Sequence, residues 1–312
     1  MTRAGAVVVV ALAVLASDPR AQQSSVFRAG NDTVSIFATA TSMEGGQLVT
    51  DLAKDDFELF DNGRRQPITL FDNSIQAIKI VVMLDMSGSM TGNLSLLRAS
   101  AVQMFTRLLP ADQARVGNFG DRINISPKFT SNQDDLIRAL WLDLEPGGPT
   151  PLWAAINTAM SVLRPLDGRR VVLVLTDGKD TGFRGGPYGG ERAAGPTLTQ
   201  VITRAQNEDF MIYAIGMSSR GANRWGPGGP FSDGPDPGLR ALALETGGGY
   251  FEVTANTALG PAFARVADEL HRQYLLGYTM PEQDGRRHLV DVRTTRPGLS
   301  VRARRSYVAG ER

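Results

Sequence analysis

The spacing of apolar residues changes twice along the chain, near residues 77 and 273. Before the first point and after the second, apolar and polar side chains alternate, which is typical of half-buried β-strands. Between the two points lie continuous apolar runs, which indicate strands buried on both faces of a parallel sheet. These runs are Ile78–Leu84, Val171–Leu175 and Met211–Ile215.

Segments between the apolar runs carry apolar residues at helical spacing, mainly within 94–108, 152–163 and 259–270. Strands that alternate with helices predict a doubly wound, mostly parallel sheet of the Rossmann-like α/β class, with helices on both faces. The segment Ala114–Ile125 is interpreted as a pair of strands with a kink at its glycines.

The alternating regions at the two ends predict short β segments. Asn62-Gly63 separates Phe57–Phe60 from Arg64–Leu70, and this dipeptide favours the positive φ angles of a hairpin turn. Each segment is too small to bury a core alone. Because the ends of an inserted domain lie close together, we expect both segments to pack as one discontinuous β-sandwich. The predicted domains are residues 22–76 with 273–312 for the sandwich, and 77–272 for the α/β domain.

The cysteine count and the net charge limit the kinds of functional site that the chain can contain. The chain has 312 residues, no cysteine and a formal net charge of +1. The lack of cysteine excludes disulfides, thiolate metal sites and a cysteine nucleophile. The near-neutral charge gives no sign of nucleic-acid binding, and the arginines of the C-terminal segment are interpreted as the solvent face of its strands.

Residues 1–21 are interpreted as an export signal. Arg3 precedes Ala4–Ala16, an apolar run with the length of a signal-peptide core, and cleavage is expected after Ala16 or Ala21. The run is shorter than the roughly 20 residues of a membrane span. An uncleaved anchor is the alternative. We expect a secreted or periplasmic protein with no integral membrane span after cleavage.

Oxygen-bearing side chains follow the first buried strand. Asp85, Ser87 and Ser89 occupy alternate positions on a glycine-containing loop directly after Leu84. In open α/β sheets, ligands bind at the carboxyl ends of the strands. Sets of oxygen ligands suit hard cations such as Mg²⁺. The sequence therefore predicts a cation site at this edge of the sheet.

Two later residues make this pattern specific. Thr150 lies in a Gly-Gly-Pro-Thr-Pro-Leu-Trp loop before a helix, and Asp177 lies in Thr-Asp-Gly-Lys-Asp after a buried strand. With these residues, the region 78–270 resembles a von Willebrand factor type A domain with a metal-ion-dependent adhesion site. The flanks resemble an exported bacterial subgroup of that family through two motifs, Leu52-x-x-x-Asp55-Asp56-Phe57 and Tyr274-Leu-Leu-Gly-Tyr278.

The resemblance implies a metal held by Asp85, Ser87, Ser89, Thr150 and Asp177. By analogy, the two serines and either Thr150 or Asp177 coordinate Mg²⁺ directly, and the remaining residues act through waters. Mn²⁺ and Ca²⁺ are alternative ions. An Asp or Glu presented by a protein partner would complete the coordination. We therefore expect a metal-dependent protein-binding module for adhesion or scaffolding, and not an enzyme.

Two other functions remain open. A Ser-His-Asp hydrolase needs a histidine near its serine, but the chain has only His271, expected on a surface helix, and His288, expected at a strand start. Metal-assisted hydrolysis by Asp85 and Asp177 is the enzymatic alternative. The third reading is a structural envelope module with a site that does not switch, because prolines on both sides of Thr150 stiffen its loop.

Two Gly/Pro-rich insertions, Gly182–Pro196 and Gly221–Gly238, each follow a buried strand. Loops after parallel strands share one edge of the sheet, so we expect both insertions to surround the site and to shape access to it. Surface loops without a recognition role are equally consistent with the sequence.

Overall fold

The computed structural model describes residues 33–141, 147–182, 195–218, 234–254 and 259–310. The predicted export signal and most of both insertions therefore lie outside the described residues. The strands are β1 (Thr33–Ser42), β2 (Phe57–Asp61), β3 (Arg64–Gln66), β4 (Leu70–Asp72), β5 (Ile78–Asp85), β6 (Gln113–Phe119), β7 (Ile123–Ile125), β8 (Arg169–Thr176), β9 (Phe210–Ser218), β10 (Tyr250–Thr254), β11 (Tyr274–Thr279), β12 (Arg287–Thr294), β13 (Leu299–Ala303) and β14 (Ser306–Val308). The helices are α1 (Leu94–Phe105), α2 (Gln133–Ala139), α3 (Leu152–Leu163), α4 (Leu198–Asn207), α5 (Gly238–Glu245) and α6 (Leu259–His271).

A six-stranded sheet forms the centre of the molecule, in the order β10-β9-β8-β5-β6-β7. All neighbours pair in parallel except β7, which is antiparallel to β6 at one edge. The kink that was predicted between residues 114 and 125 is the turn between these two strands. This sheet, with helices on both faces, confirms the predicted α/β class.

The central strand β5 is buried on both faces, as its continuous apolar sequence predicted. Ile80, Val82 and Leu84 pack in the core formed with α1, α2 and α6. Val81 and Met83 point to the opposite core, formed with α3, α4 and α5. Complete burial of one such side chain is worth about 1.5–3 kcal/mol. The strand that ends in Asp85 is therefore held firmly by both layers.

Two four-stranded antiparallel sheets flank the central unit, in the orders β13-β1-β11-β4 and β14-β12-β2-β3. Each sheet combines strands from both ends of the described chain, for example through the pairing of Val34 with Tyr278 and of Leu59 with Val292. Their facing apolar side chains form a core of their own. These flanking sheets were part of the predicted fold class.

The predicted hairpin forms, but its second strand ends early. β2 and β3 pair around Asn62 and Gly63, both of which have positive φ angles, 48° and 77°. β3 ends at Gln66 because Pro67, which follows, has no N–H to donate to a ladder. The chain then crosses to the other flanking sheet, where β4 pairs with β11. The expected continuous strand to Leu70 is therefore wrong.

The flanking sheets attach to the central unit at the amino ends of its parallel strands. Arg304 binds Asp209, which directly precedes β9, at 2.5 Å. Arg302 binds the fully buried Glu269 near the end of α6. Arg169, the first residue of β8, donates to Gln273 Oε1, directly before β11. The interpretation of the C-terminal arginines as a solvent face is wrong for Arg302 and Arg304, which join the two parts of the molecule.

None of the described helices is long and apolar enough to cross a membrane. The longest described helix, α6, has 13 residues.

Candidate metal centre

The candidate site lies at the carboxyl edge of the central sheet, where β5 and β8 end side by side. Leu84 and Leu175 are paired in register, which places Asp85 beside Thr176 and near Asp177. After Asp85, a short 3-10 helix from Gly88 to Asn93 turns the chain into α1. The loop geometry and the strand order together gather the polar side chains at this edge.

A chain of hydrogen bonds joins three of the predicted ligands. Ser87 Oγ lies 3.1 Å from Ser89 Oγ, and Ser89 Oγ donates to Asp177 Oδ1 at 2.7 Å. Adjacent ligands of an octahedron with Mg–O bonds of about 2.1 Å lie about 3 Å apart. The spacing of these oxygens therefore matches what a small hard cation requires of neighbouring ligands.

Asp85 lies behind the two serines and is fully buried. Its Oδ1 accepts from the N–H of Ser87 at 2.8 Å, and its Oδ2 accepts from the hydroxyl of Thr176. These bonds orient the carboxylate and fix the first turn of the Ser87 loop. Its position favours a role through the serines and water over direct contact with an ion.

Two carboxylates with raised pKa values, Asp85 and Asp177, dominate the electrostatics of the site. Burial raises the pKa of Asp85 to about 6, hydrogen bonds from Ser87 and Thr176 oppose the rise, and the Asp177 carboxylate adds to it. Burial also raises the pKa of Asp177. Within the described residues, no cationic side chain forms an ion pair with either carboxylate. A bound cation would supply the missing positive charge.

Thr150 lines the same cleft as Ser87 and Ser89, a space of about 430 Å³ that also borders Pro149 and Thr181. Its backbone is fixed on both sides by Thr181. The N–H of Thr150 donates to Thr181 Oγ1 at 2.8 Å, and the N–H of Thr181 donates to Thr150 O at 2.9 Å. The stiff loop expected from the prolines is thus also tied to the loop that carries Asp177.

Sequence reasoning missed several residues that support the site. Thr176 and Asp180 lie within the quoted Thr-Asp-Gly-Lys-Asp motif, but only its first aspartate was assigned a role. Asp180 Oδ1 accepts from the N–H of Trp153 at 3.2 Å, in the first turn of α3. Asp236 accepts from the N–H of Asp180 at 3.2 Å, and nothing in the sequence connected these two positions.

Asp121 supports the Thr150 loop from the side of β6. Gly148 has a φ of +80°, and a Cβ at this position would lie 1.9 Å from Asp121 Oδ1. The glycine therefore provides both the left-handed backbone and the space that this carboxylate occupies. The Gly-Gly dipeptide in the sequence was the signal for this close contact.

The donor set fits a hard cation better than a softer metal such as Zn²⁺ or Cu²⁺, which prefers nitrogen or sulfur ligands. Its ligands are hydroxyl and carboxylate oxygens, the type that Mg²⁺, Mn²⁺ and Ca²⁺ prefer. Among the described residues, no group of three or more His, Cys, Asp or Glu side chains is placed to hold a metal. Any ion at this site therefore depends on the hydroxyls of Ser87, Ser89 and Thr150 as well as on the carboxylates.

Both histidines are engaged away from this cleft. His271 Nε2 lies 2.7 Å from Asp112 Oδ2 at the end of α6 and is mostly buried, so the expected surface position is wrong. The reason is Asp112, which holds the start of β5 through the N–H of Ile78 and draws the imidazole inward. His288 lies at the start of β12, as predicted, and contacts Asp61 at 2.8 Å.

Comparison with known families identifies the fold. Residues 79–264 match the model of the von Willebrand factor type A domain, so the chain belongs to this family. The match covers the central sheet, from the second residue of β5, and ends within the first half of α6. No curated protein sequence shows significant similarity to the chain.

Several solved structures are similar to this chain at low sequence identity. A von Willebrand factor type A protein from Catenulispora acidiphila is 13% identical, with 91% of this chain and 76% of that chain covered and a TM-score of 0.49. Proximal thread matrix protein 1 from the mussel byssus is 16% identical, with 68% of this chain covered and a TM-score of 0.48. The chain spans about half of that protein (49%). BatB from Bacteroides thetaiotaomicron is 18% identical, with 62% and 97% covered and a TM-score of 0.45.

Proposed function

We propose that this protein is a divalent-metal-dependent protein-binding module of the adhesion or scaffolding type. The observation that carries the proposal is the convergence of Ser87, Ser89 and Thr150 at one open cleft, where Ser89 Oγ also donates a hydrogen bond to Asp177. Mg²⁺ is the preferred ion because the donors are all oxygens. Ser87, Ser89 and either Asp177 or Thr150 would hold it directly, and Asp85 would orient the serines.

The chemistry favours recognition of a carboxylate. Two neutral hydroxyls neutralise little of the charge of a divalent cation, so the ion would remain a strong acceptor of a further anionic ligand. An Asp or Glu side chain on a protein partner supplies such a ligand. The open cleft leaves room for it beside Gly88 and Pro149.

The arrangement argues for binding over hydrolysis. Asp85 uses both carboxylate oxygens as acceptors within the protein, which leaves it poorly placed to activate a water as a general base. The two histidines contact Asp112 and Asp61 and not the serines. These contacts support the proposal that the site binds a partner and does not turn over a substrate.

The position of the flanking sheets supports the same proposal. They join the central unit at the amino ends of its strands, opposite the edge that carries the site. A large protein partner can therefore approach the carboxyl edge without meeting these sheets. The N-terminal sequence further supports export, to the periplasm or the exterior, where such a module would meet its partner.

Calorimetric titration with Mg²⁺ tests the metal site, and capture of partners from the envelope fraction of the host, with and without EDTA, tests the function. We expect wild-type protein to bind Mg²⁺ and to retain a partner only in its presence. Asp85→Ala removes the carboxylate that orients Ser87, and we expect it to lose both activities.

Asp291→Ala serves as the matched control, because Asp291 is an exposed aspartate on β12 whose partner is Arg293. It should behave like the wild type. Partner retention that ignores both EDTA and Asp85→Ala would exclude the metal-dependent function. Metal-dependent turnover in a hydrolase screen would favour the enzymatic alternative.

A further inference from the structure

Asp236 lies in the last part of the second insertion, two residues before the start of α5, and it makes contacts in two directions. Its backbone N–H donates to Gly178 O at 3.1 Å, and its Oδ2 accepts from the N–H of Asp180 at 3.2 Å. Its Oδ1 accepts from the N–H of Gly238, the first residue of α5, at 2.8 Å. One residue thus ties α5 to both ends of the three-residue segment that follows Asp177.

The same segment is tied in turn to the Thr150 loop. Asp180 holds the first turn of α3 through Trp153, two residues after Pro151. Thr181 brackets the backbone of Thr150 with two hydrogen bonds. A continuous set of bonds therefore runs from Asp236, through the Asp177 loop, to Thr150.

We propose that Asp236 is a positioning residue that holds the Asp177 loop and the Thr150 loop as one rigid half of the metal site. This inference rests on the proposed metal-binding function. Ligands must be held within about 0.5 Å of their working positions for tight binding. Asp177 is half-buried and directly follows the last residue of β8, and the bonds of Asp236 to Gly178 and Asp180 restrict the backbone of the loop that carries it.

The proposal also explains why the Asp177 loop and the Thr150 loop have hydrogen-bond partners that differ from those of the Ser87–Ser89 loop. Ser87 and Ser89 are positioned by Asp85 and Thr176 at the ends of β5 and β8. Asp177 and Thr150 are positioned by Asp180, Thr181 and Asp236. The site therefore consists of two halves, one fixed by the ends of β5 and β8 and one fixed by Asp236 and α5, and the bond from Gly178 N–H to Thr176 Oγ1 joins them.

Hydrogen–deuterium exchange of the full chain without metal tests directly whether Asp236 holds the two loops. Asp236→Ala removes both side-chain acceptors, so we expect faster exchange in peptides covering residues 147–154 and 176–182. Asp236→Asn keeps one acceptor oxygen and should give an intermediate rate; it also serves if the alanine variant folds poorly. Asn132→Ala is the matched control, because Asn132 caps α2 through the N–H of Asp135, away from these loops.

Calorimetric titration with Mg²⁺ then tests the consequence for the site. Loss of a residue that orients metal ligands costs about 10-fold or more in affinity, and we expect this loss for Asp236→Ala but not for Asn132→Ala. In an Asp177→Ala background, Asp236→Ala should weaken the residual affinity much less, because it acts through Asp177. If Asp236 had only a structural role, Asp236→Ala and Asn132→Ala would lower the unfolding midpoint to a similar extent. Their affinities for Mg²⁺ would then be equal.

The outcomes separate the two proposals. Unchanged exchange in the two peptides of Asp236→Ala would show that Asp236 does not hold the two loops together, whatever the Mg²⁺ affinity of the variant. Faster exchange with an unchanged Mg²⁺ affinity overturns the positioning role. Failure of the wild-type protein to bind Mg²⁺ overturns the proposed function, while the exchange data still decide whether Asp236 holds the two loops together.

Discussion

Thr176 illustrates how the site is built at the scale of single residues. It is fully buried at the end of β8, and its hydroxyl donates to the equally buried carboxylate of Asp85. The N–H of Gly178 in turn donates to Thr176 Oγ1 at 3.1 Å. One hydroxyl thus connects the residue behind the serines with the loop that carries Asp177.

We expect Thr176→Val to destabilise the protein by about 1.5–3 kcal/mol, the range for a hydrogen bond to a charged group. The substitution keeps the shape but leaves one oxygen of the Asp85 carboxylate without its donor. Urea unfolding in metal-free buffer at pH 8 measures this difference. Thr158→Val is the control, because the Thr158 hydroxyl only donates to Ala154 O within α3, and we expect a loss of no more than about 1 kcal/mol. Equal losses for the two variants would contradict the role of Thr176.

The sequence located the site residues because they follow buried strands directly or occupy a quoted motif. Asp85 and Asp177 come at the ends of apolar runs, and parallel pairing brings such ends together. Asp236 had no such signal, and the Gly-Gly dipeptide indicated a close contact at Gly148 without identifying Asp121 as its partner. The importance of both aspartates arises from loops that meet only after the chain has folded, 27 residues apart for Asp121 and Gly148. Local sequence patterns do not encode contacts of this kind.

At the scale of elements, the Gly147–Pro151 loop fixes how Thr150 is presented. Gly147 donates to Met86 O at 2.8 Å, which holds this loop against the loop that leads to the serines. Gly148 adopts the left-handed conformation and leaves room for Asp121. The loop is thus supported by backbone contacts on three sides: the serine loop, Asp121 and Thr181.

We expect Gly148→Ala to weaken Mg²⁺ binding and to destabilise the protein by at least about 1–2 kcal/mol, the cost of a left-handed conformation in a residue with a Cβ. The added methyl would also lie 2.8 Å from the backbone nitrogen of Asp121, which cannot rotate away. Gly92→Ala is the control, because its Cβ would meet nothing within 4 Å and its φ is ordinary. Titration calorimetry and urea unfolding of both variants measure the effects. Wild-type affinity in Gly148→Ala would show that the loop can move without harm to the site.

Element prediction succeeded where apolar periodicity was strong and failed where it was not. The buried strands β5, β8 and β9 were located within three residues at each end. Helices α4 and α5 were not predicted, because α4 buries little more than Val201, Ala205 and Gln206 and α5 begins inside a Gly/Pro-rich insertion. A capping box at Thr197 and Gln200 was the available signal for α4.

At the scale of the whole molecule, charged side chains join the flanking sheets to the central unit. Glu269 is fully buried and contacts Arg302 from β13, Arg265 from its own helix, and the Tyr213 hydroxyl. Gln273 extends the network to Thr39 on β1 at 2.6 Å. The interface is therefore polar at its centre, and its stability depends on complete pairing of the buried charge.

We expect Arg302→Met to destabilise the protein by about 3 kcal/mol, the low end for removal of one partner of a buried ion pair, because Arg265 remains beside Glu269. Arg293→Met is the matched control. Its pair with Asp291 is exposed on the outer face of β12, and such pairs contribute less than about 1 kcal/mol. Urea unfolding of both variants measures the difference. A small effect of Arg302→Met would show that apolar contacts alone hold the two parts together.

Alternating residues predicted strands at both ends of the chain, and the shortness of each segment predicted that they combine. The docking of these sheets on the amino ends of the central strands could not be predicted. It depends on pairs such as Arg304 with Asp209, which are 95 residues apart and belong to segments with no shared pattern. The flanking sheets and the central unit could therefore each be predicted from the sequence, but their orientation relative to each other could not.

The placement of the flanking sheets and the candidate site at opposite ends of β5 determines how the molecule would transmit force. A pull between a partner at the carboxyl edge and the flanking sheets would run along β5, parallel to its length. β5 is paired with β6 and β8 over seven residue pairs each. Such a load would act on both ladders in shear, so that many hydrogen bonds would resist it together. If the protein holds a partner as proposed, tension would therefore pass along its central strand.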